Sequence, residues 1–74
     1  MLTVRVLSRS TGRPVKGARV SVEFSGISRG ITSPEYTDSQ GEAHFDASPG
    51  EGKVFVNGKT VCKGRIAGRM VVCA

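Results

Sequence analysis

Seventy-four residues make one small domain, and a chain of this size buries only about 60% of the surface its unfolded form exposes, which excludes a second domain. Val and Gly are abundant and Leu occurs only at Leu2 and Leu7, a strand-and-turn composition rather than a helical one. The net charge is +5 with a pI near 9.9, which suits an acidic partner or a soluble basic surface, and no stretch approaches the roughly 20 apolar residues of a membrane helix.

Leu2, Val4 and Val6 alternate with Thr3 and Arg5, the period of a half-buried strand rather than of a secretory leader. Residues 8–14 supply turn chemistry. The next strand is the clearest, with Ala18, Val20, Val22 and Phe24 on one face and Arg19, Ser21 and Glu23 on the other. Residues 25–34 read as a loop that admits a short edge strand over 27–32. A short strand over 35–37 then enters a tight turn from Asp38 to Gly41, where Asp bonds its own backbone and Gly accepts positive φ. A strand over 42–47 follows with Ala43 and Phe45 inward, and residues 48–52, containing Pro49, Gly50 and Gly52, read as a loop.

Asn57-Gly58 is the strongest hairpin signal, because a type I′ turn needs positive φ at both central residues. Its register sets Val56 opposite Lys59 and Val54 opposite Val61. A second hairpin on Ala67-Gly68 pairs Ile66 with Arg69, Arg65 with Met70, and Cys62 with Cys73. No window sustains a helical apolar period, so the expected fold is all-β: an antiparallel sandwich of six or seven strands.

Two turn motifs carry a resemblance. The run Thr11-Gly12-Arg13-Pro14-Val15-Lys16-Gly17-Ala18-Arg19-Val20, then Thr37-Asp38-Ser39-Gln40-Gly41, then Pro49-Gly50 resembles the carboxypeptidase regulatory-like domain, a transthyretin-like (prealbumin-like), immunoglobulin-like sandwich. The resemblance covers roughly residues 2–56 and departs from the family pattern beyond them. It implies scaffold roles for Gly12, Pro14, Gly17, Asp38, Gly41, Pro49 and Gly50, joined by Asn57 and Gly58 of the hairpin, and it implies an accessory module rather than an activity.

Candidate chemistry is sparse. A transthyretin-related hydrolase shares this superfold but needs several histidines, and His44 is the only one here; alternating with Ala43 and Phe45, it is expected on the solvent face without the partners of a catalytic triad. No catalytic residue, cofactor or metal is therefore expected. Glu35, Asp38, Glu42 and Asp46 follow no EF-hand spacing, Gly50-x-Gly52-Lys53 lacks the rest of a phosphate loop, and two cysteines without a Cys-x-x-Cys spacing do not make a zinc site. Cys62 and Cys73 are instead a candidate disulfide in an oxidising compartment, with free thiols as the alternative.

Charge is segregated along the chain. Residues 1–30 hold six basic and one acidic side chain, residues 31–52 hold five acidic and no basic ones, and residues 53–74 hold five basic and no acidic ones. Arg5, Arg19, Lys59, Lys63, Arg65 and Arg69 fall on strands or hairpin ends, and Lys59, Lys63, Arg65 and Arg69 form the candidate basic interaction surface. The expected partner is another protein or a neighbouring domain of a parent chain, met through an open strand edge within residues 59–73. Nucleic acid or another polyanion is the rival partner. It is disfavoured because stacking aromatics are scarce: Phe24 and Phe45 are needed inside, leaving Tyr36 and Phe55. No membrane partner is expected, and the residues assign neither a compartment nor an oligomeric state.

Overall fold

The computed structural model describes residues 2–25, 33–46 and 48–74; the edge strand expected over 27–32 lies outside them, as does Ala47. Seven strands follow in chain order: β1 (Leu2–Leu7), β2 (Arg19–Phe24), β3 (Glu35–Tyr36), β4 (Glu42–Phe45), β5 (Gly50–Val56), β6 (Lys59–Ile66) and β7 (Arg69–Cys73). They form a three-stranded sheet in the order β4-β1-β7 and a four-stranded sheet in the order β3-β2-β5-β6. No described residue is helical. The protein is a small all-β sandwich.

Period-2 burial builds the core. Leu2, Val4, Val6, Ala43, Phe45 and Val72 from the first sheet meet Val20, Val22, Phe24, Val54, Val56 and Ile66 from the second, with Ala18 just before β2. Val4, Val6, Val20, Val22, Val54 and Ile66 are wholly buried, and β-branched side chains of similar size let the two pleated faces mesh without long rotamers.

Several of the expected turn residues make backbone contacts that close turns. Pro14 bridges Leu7, the Gly12 N–H donates to the Ser8 carbonyl at 2.7 Å, and the Gly17 N–H donates to the Thr37 carbonyl at 2.9 Å. Thr37 has a role that its place in the turn motif did not announce. Its buried hydroxyl accepts from the Ala18 N–H at 2.8 Å and donates to the Val15 carbonyl at 2.5 Å, tying the segment before β2 to the end of β3. The Gly41 N–H donates to the Asp38 carbonyl at 2.9 Å, and the Gly41 carbonyl accepts from Val6 at 2.7 Å, which closes the central turn against β1.

Three expectations are corrected. Residues 50–52 are not loop: β5 begins at Gly50 and pairs with β6 from there, Gly50 opposite Ile66 and Gly52 opposite Gly64. The Asn57-Gly58 hairpin forms with φ of 52° and 85° and sets Val56 opposite Lys59, but a bulge between Val54 and Phe55 places Val54 opposite Cys62 instead of Val61. One extra residue on β6 lets both Val61 and Cys62 pack against the core while the strand bends.

The Ala67-Gly68 hairpin does not form. Only Gly68 has positive φ there, at 59°, so the two-residue turn with both central residues at positive φ is not made. The chain instead crosses between sheets, and β7 lies parallel to β1 in the register Thr3 to Arg69 through Leu7 to Cys73. This places Val72 over the core and gives β1 a neighbour on its second side. The expected antiparallel sandwich thus contains one parallel pair.

Candidate functional site

Two surfaces gather the polar chemistry, one on the edge of the four-stranded sheet and one on the outer face of the three-stranded sheet. The first is β6. It has eight residues, pairs only with β5, and ends its sheet, so the outer side of its backbone meets no strand among the described residues. Lys59, Lys63 and Arg65 are exposed along it. The bulge decides what the basic side chains face: Lys63 stands directly opposite Lys53, while Arg65 stands opposite Glu51. Like charges directly across an antiparallel pair oppose sheet formation; β6 itself holds no acidic residue, and the offset comes from Glu23 of β2, which stands opposite Lys53 on its other side.

The expected basic surface is therefore divided. Arg69 lies on β7, in the other sheet, where it is ion-paired with Glu42 across β1. Arg5 is likewise engaged, its Nε donating to the Gln40 carbonyl at 3.1 Å. Arg19 stands opposite exposed Tyr36 on β3, two strands away from β6. Phe55 is half-buried. The exposed aromatic and the basic edge thus occupy opposite ends of the sheet, an arrangement poorly suited to stacking bases along a charged groove.

Cys62 and Cys73 are free thiols. The register that would have set them face to face is overturned: Cys62 is opposite Val54 on β5, and Cys73 is opposite Leu7 on β1. Cys73 opens instead onto a cleft of ≈ 610 Å³ between the β5–β6 turn and the end of β7, lined also by Arg9, Lys59, Val61 and Ala74.

The second surface was missed by reading residues one at a time. His44 is exposed, as its alternation implies, but it is not alone: Asp38, Glu42 and His44 each bring one donor atom to a cluster within 4.8 Å of one another. Strand pairing explains the assembly. Glu42 and His44 are two apart on β4 and so share a face, while the Asp38–Gly41 turn folds Asp38 back over the same face. A sequence signal existed in Asp-x-x-x-Glu-x-His with the Asp opening a turn that leads straight into a strand. The Asp38 carboxyl is held below its ordinary value by the backbone N–H groups of Glu42 and Gln40, with the nearby His44 adding to the effect.

This cluster does not reproduce a catalytic triad. Thr3 Oγ1 and His44 Nδ1 are 3.0 Å apart, but His44 Nε2 stands 4.0 Å from Asp38 and 3.9 Å from Glu42, beyond hydrogen-bond length for a group that must orient a base.

Comparison with protein-family models gives no match, and comparison with curated proteins likewise gives none.

Proposed function

We propose that this domain is a non-catalytic accessory or protein-interaction module that captures an acidic, extended segment of a partner protein, or of a neighbouring domain in a parent chain, along β6. The observation that carries the reading is the eight-residue open strand at the sheet's end. Main-chain groups on such an edge supply affinity by adding a strand, and side chains alternate to give specificity. Lys59, Lys63 and Arg65 both guard that edge against indiscriminate pairing and select for negative charge. The two turn motifs and the two-sheet arrangement support placing the chain with the carboxypeptidase regulatory-like, prealbumin-like modules, an immunoglobulin-like sandwich, and the residues that carry that resemblance here are scaffold positions rather than reactive groups.

The Lys53–Lys63 opposition separates fold from function. Lys63→Glu converts a like-charge cross-strand pair into an attractive one, and the expected gain in unfolding free energy is roughly 0.2–1 kcal/mol. The same variant should capture a short peptide of alternating Glu and Val more slowly and with a shallower salt dependence than the parent protein. Urea unfolding and stopped-flow association measure the two effects. Peptide capture unchanged by Lys63→Glu contradicts the reading. A single-stranded oligonucleotide that binds with steep salt dependence, while the peptide does not bind, favours a polyanion partner instead.

A further inference from the structure

We propose that Asp38, Glu42 and His44 form a binding site for a divalent transition-metal ion of the zinc type on the outer face of the three-stranded sheet. The argument rests on how each of the three side chains is held. Asp38 uses Oδ1 to accept the backbone N–H groups of Gln40 at 2.8 Å and Glu42 at 3.1 Å, which leaves Oδ2 turned toward His44. Glu42 uses Oε2 to accept from Arg69 Nη2, which leaves Oε1 turned toward His44. His44 has Nδ1 against the Thr3 hydroxyl at 3.0 Å, which leaves Nε2 turned toward both carboxylates. Every ligand is thus oriented through one atom and converges through the other.

Outer hydrogen bonds of this kind set the tautomer and direction of metal ligands. When Nδ1–H donates to Thr3 Oγ1, the Nε2 lone pair faces the carboxylate oxygens, the tautomer a metal requires. The orienting contacts come from separate elements. Thr3 lies on β1 opposite both His44 and Arg69, so the central strand of the sheet aligns the imidazole and the guanidinium that steadies Glu42.

The spacing approaches that of a single ion. Zinc binds nitrogen and oxygen donors at roughly 2.0–2.2 Å, so donors in a tetrahedral set stand roughly 3.3–3.6 Å apart. The two His44 separations, 3.9 and 4.0 Å, are a few tenths of an ångström wider, and the remaining pair is no farther than 4.8 Å. The ion would draw the three donors inward, a movement open to the half-exposed His44 and Asp38 side chains while Asp38 Oδ1 keeps its backbone bonds. A mixed imidazole and carboxylate set favours zinc, cobalt or nickel over calcium or magnesium, which take oxygen ligands. Three protein ligands leave one or more positions to solvent or to a donor group from a partner.

Zinc chloride titrated into the whole chain, followed by calorimetry and by side-chain NMR of His44, tests the site. The expected result is saturation at one zinc per chain, with the His44 ring resonances moving. His44→Gln and Asp38→Ala should each weaken binding at least about ten-fold, and Thr3→Val, which leaves all three ligands in place, should weaken it by roughly ten-fold. Calcium should leave the ring unmoved. The proposal is overturned if no saturable zinc binding occurs, if affinity survives His44→Gln, or if the zinc-dependent changes centre on Cys62 and Cys73 and vanish in their serine variants. Circular dichroism of each variant establishes that the fold is retained, and His44→Ala serves if the Gln variant proves poorly folded.

Discussion

Gly52→Ala should cost about 3 kcal/mol or more of unfolding free energy, a large share of what a domain this size possesses. Gly52 is buried in β5 opposite Phe24 of β2. A methyl group built there would stand 1.9 Å from the Glu23 carbonyl oxygen and 2.9 Å from the Phe24 Cα. Both obstacles are backbone, so no rotamer change relieves them. The strands would have to part where β2 and β5 form the middle of the four-stranded sheet. Urea unfolding monitored by circular dichroism reads the loss, and a midpoint within error of the parent protein would show that β2 and β5 do not approach in this way.

Ile66→Ala should destabilise by about 2–5 kcal/mol, whereas Ile66→Val should cost only about 0.5–1.5 kcal/mol. Ile66 is wholly buried and ends β6 opposite Gly50. Immediately after it the chain leaves one sheet for the other, and the Gly68 carbonyl accepts from the Thr3 N–H at 2.9 Å. The side chain fills the interior where the two sheets are joined by this crossing, and its partner across the strand offers no side chain to collapse into the space. In a hairpin between β6 and β7 the two strands would share a sheet and this crossing would not exist. A large alanine penalty with a small valine penalty supports the burial of Ile66 between the two sheets, and a negligible alanine penalty contradicts it.

The strands themselves were legible because burial recurs every second residue. Leu2, Val4 and Val6, and likewise Val20, Val22 and Phe24, have one inward face that no helical period could produce, and Asn57-Gly58 has the turn chemistry of one hairpin type. The bulge beside Val54 was hidden because Val61 and Cys62 are both apolar enough to pack inward, so hydrophobic pattern alone does not choose between registers. That single residue shift is what brings Lys63 opposite Lys53.

The path of β7 was hidden for a different reason. Val71 and Val72 are adjacent, so alternation does not choose which of them faces inward, nor does it say whether β6 or β1 lies beside β7. Tertiary pairing decided that, and with it the fate of the cysteine register and of Arg69, which joins Glu42 rather than the other basic residues. The Asp38, Glu42 and His44 cluster required two facts at once, a tight turn and a strand with one exposed face. Each was visible alone. Their meeting, and the Thr3 hydroxyl beneath the imidazole, depends on β4 pairing with β1.

Residue-resolved amide exchange on β6, with and without the alternating Glu-Val peptide, bears most directly on the claim that the domain works through an open strand. In the free protein, amides bonded to β5 should be slow and those on the outer side fast; added peptide should slow the outer amides of residues 59–66 and leave β4 unchanged. Uniform protection of β6 before any peptide is added, or slowing confined to another surface, would contradict it.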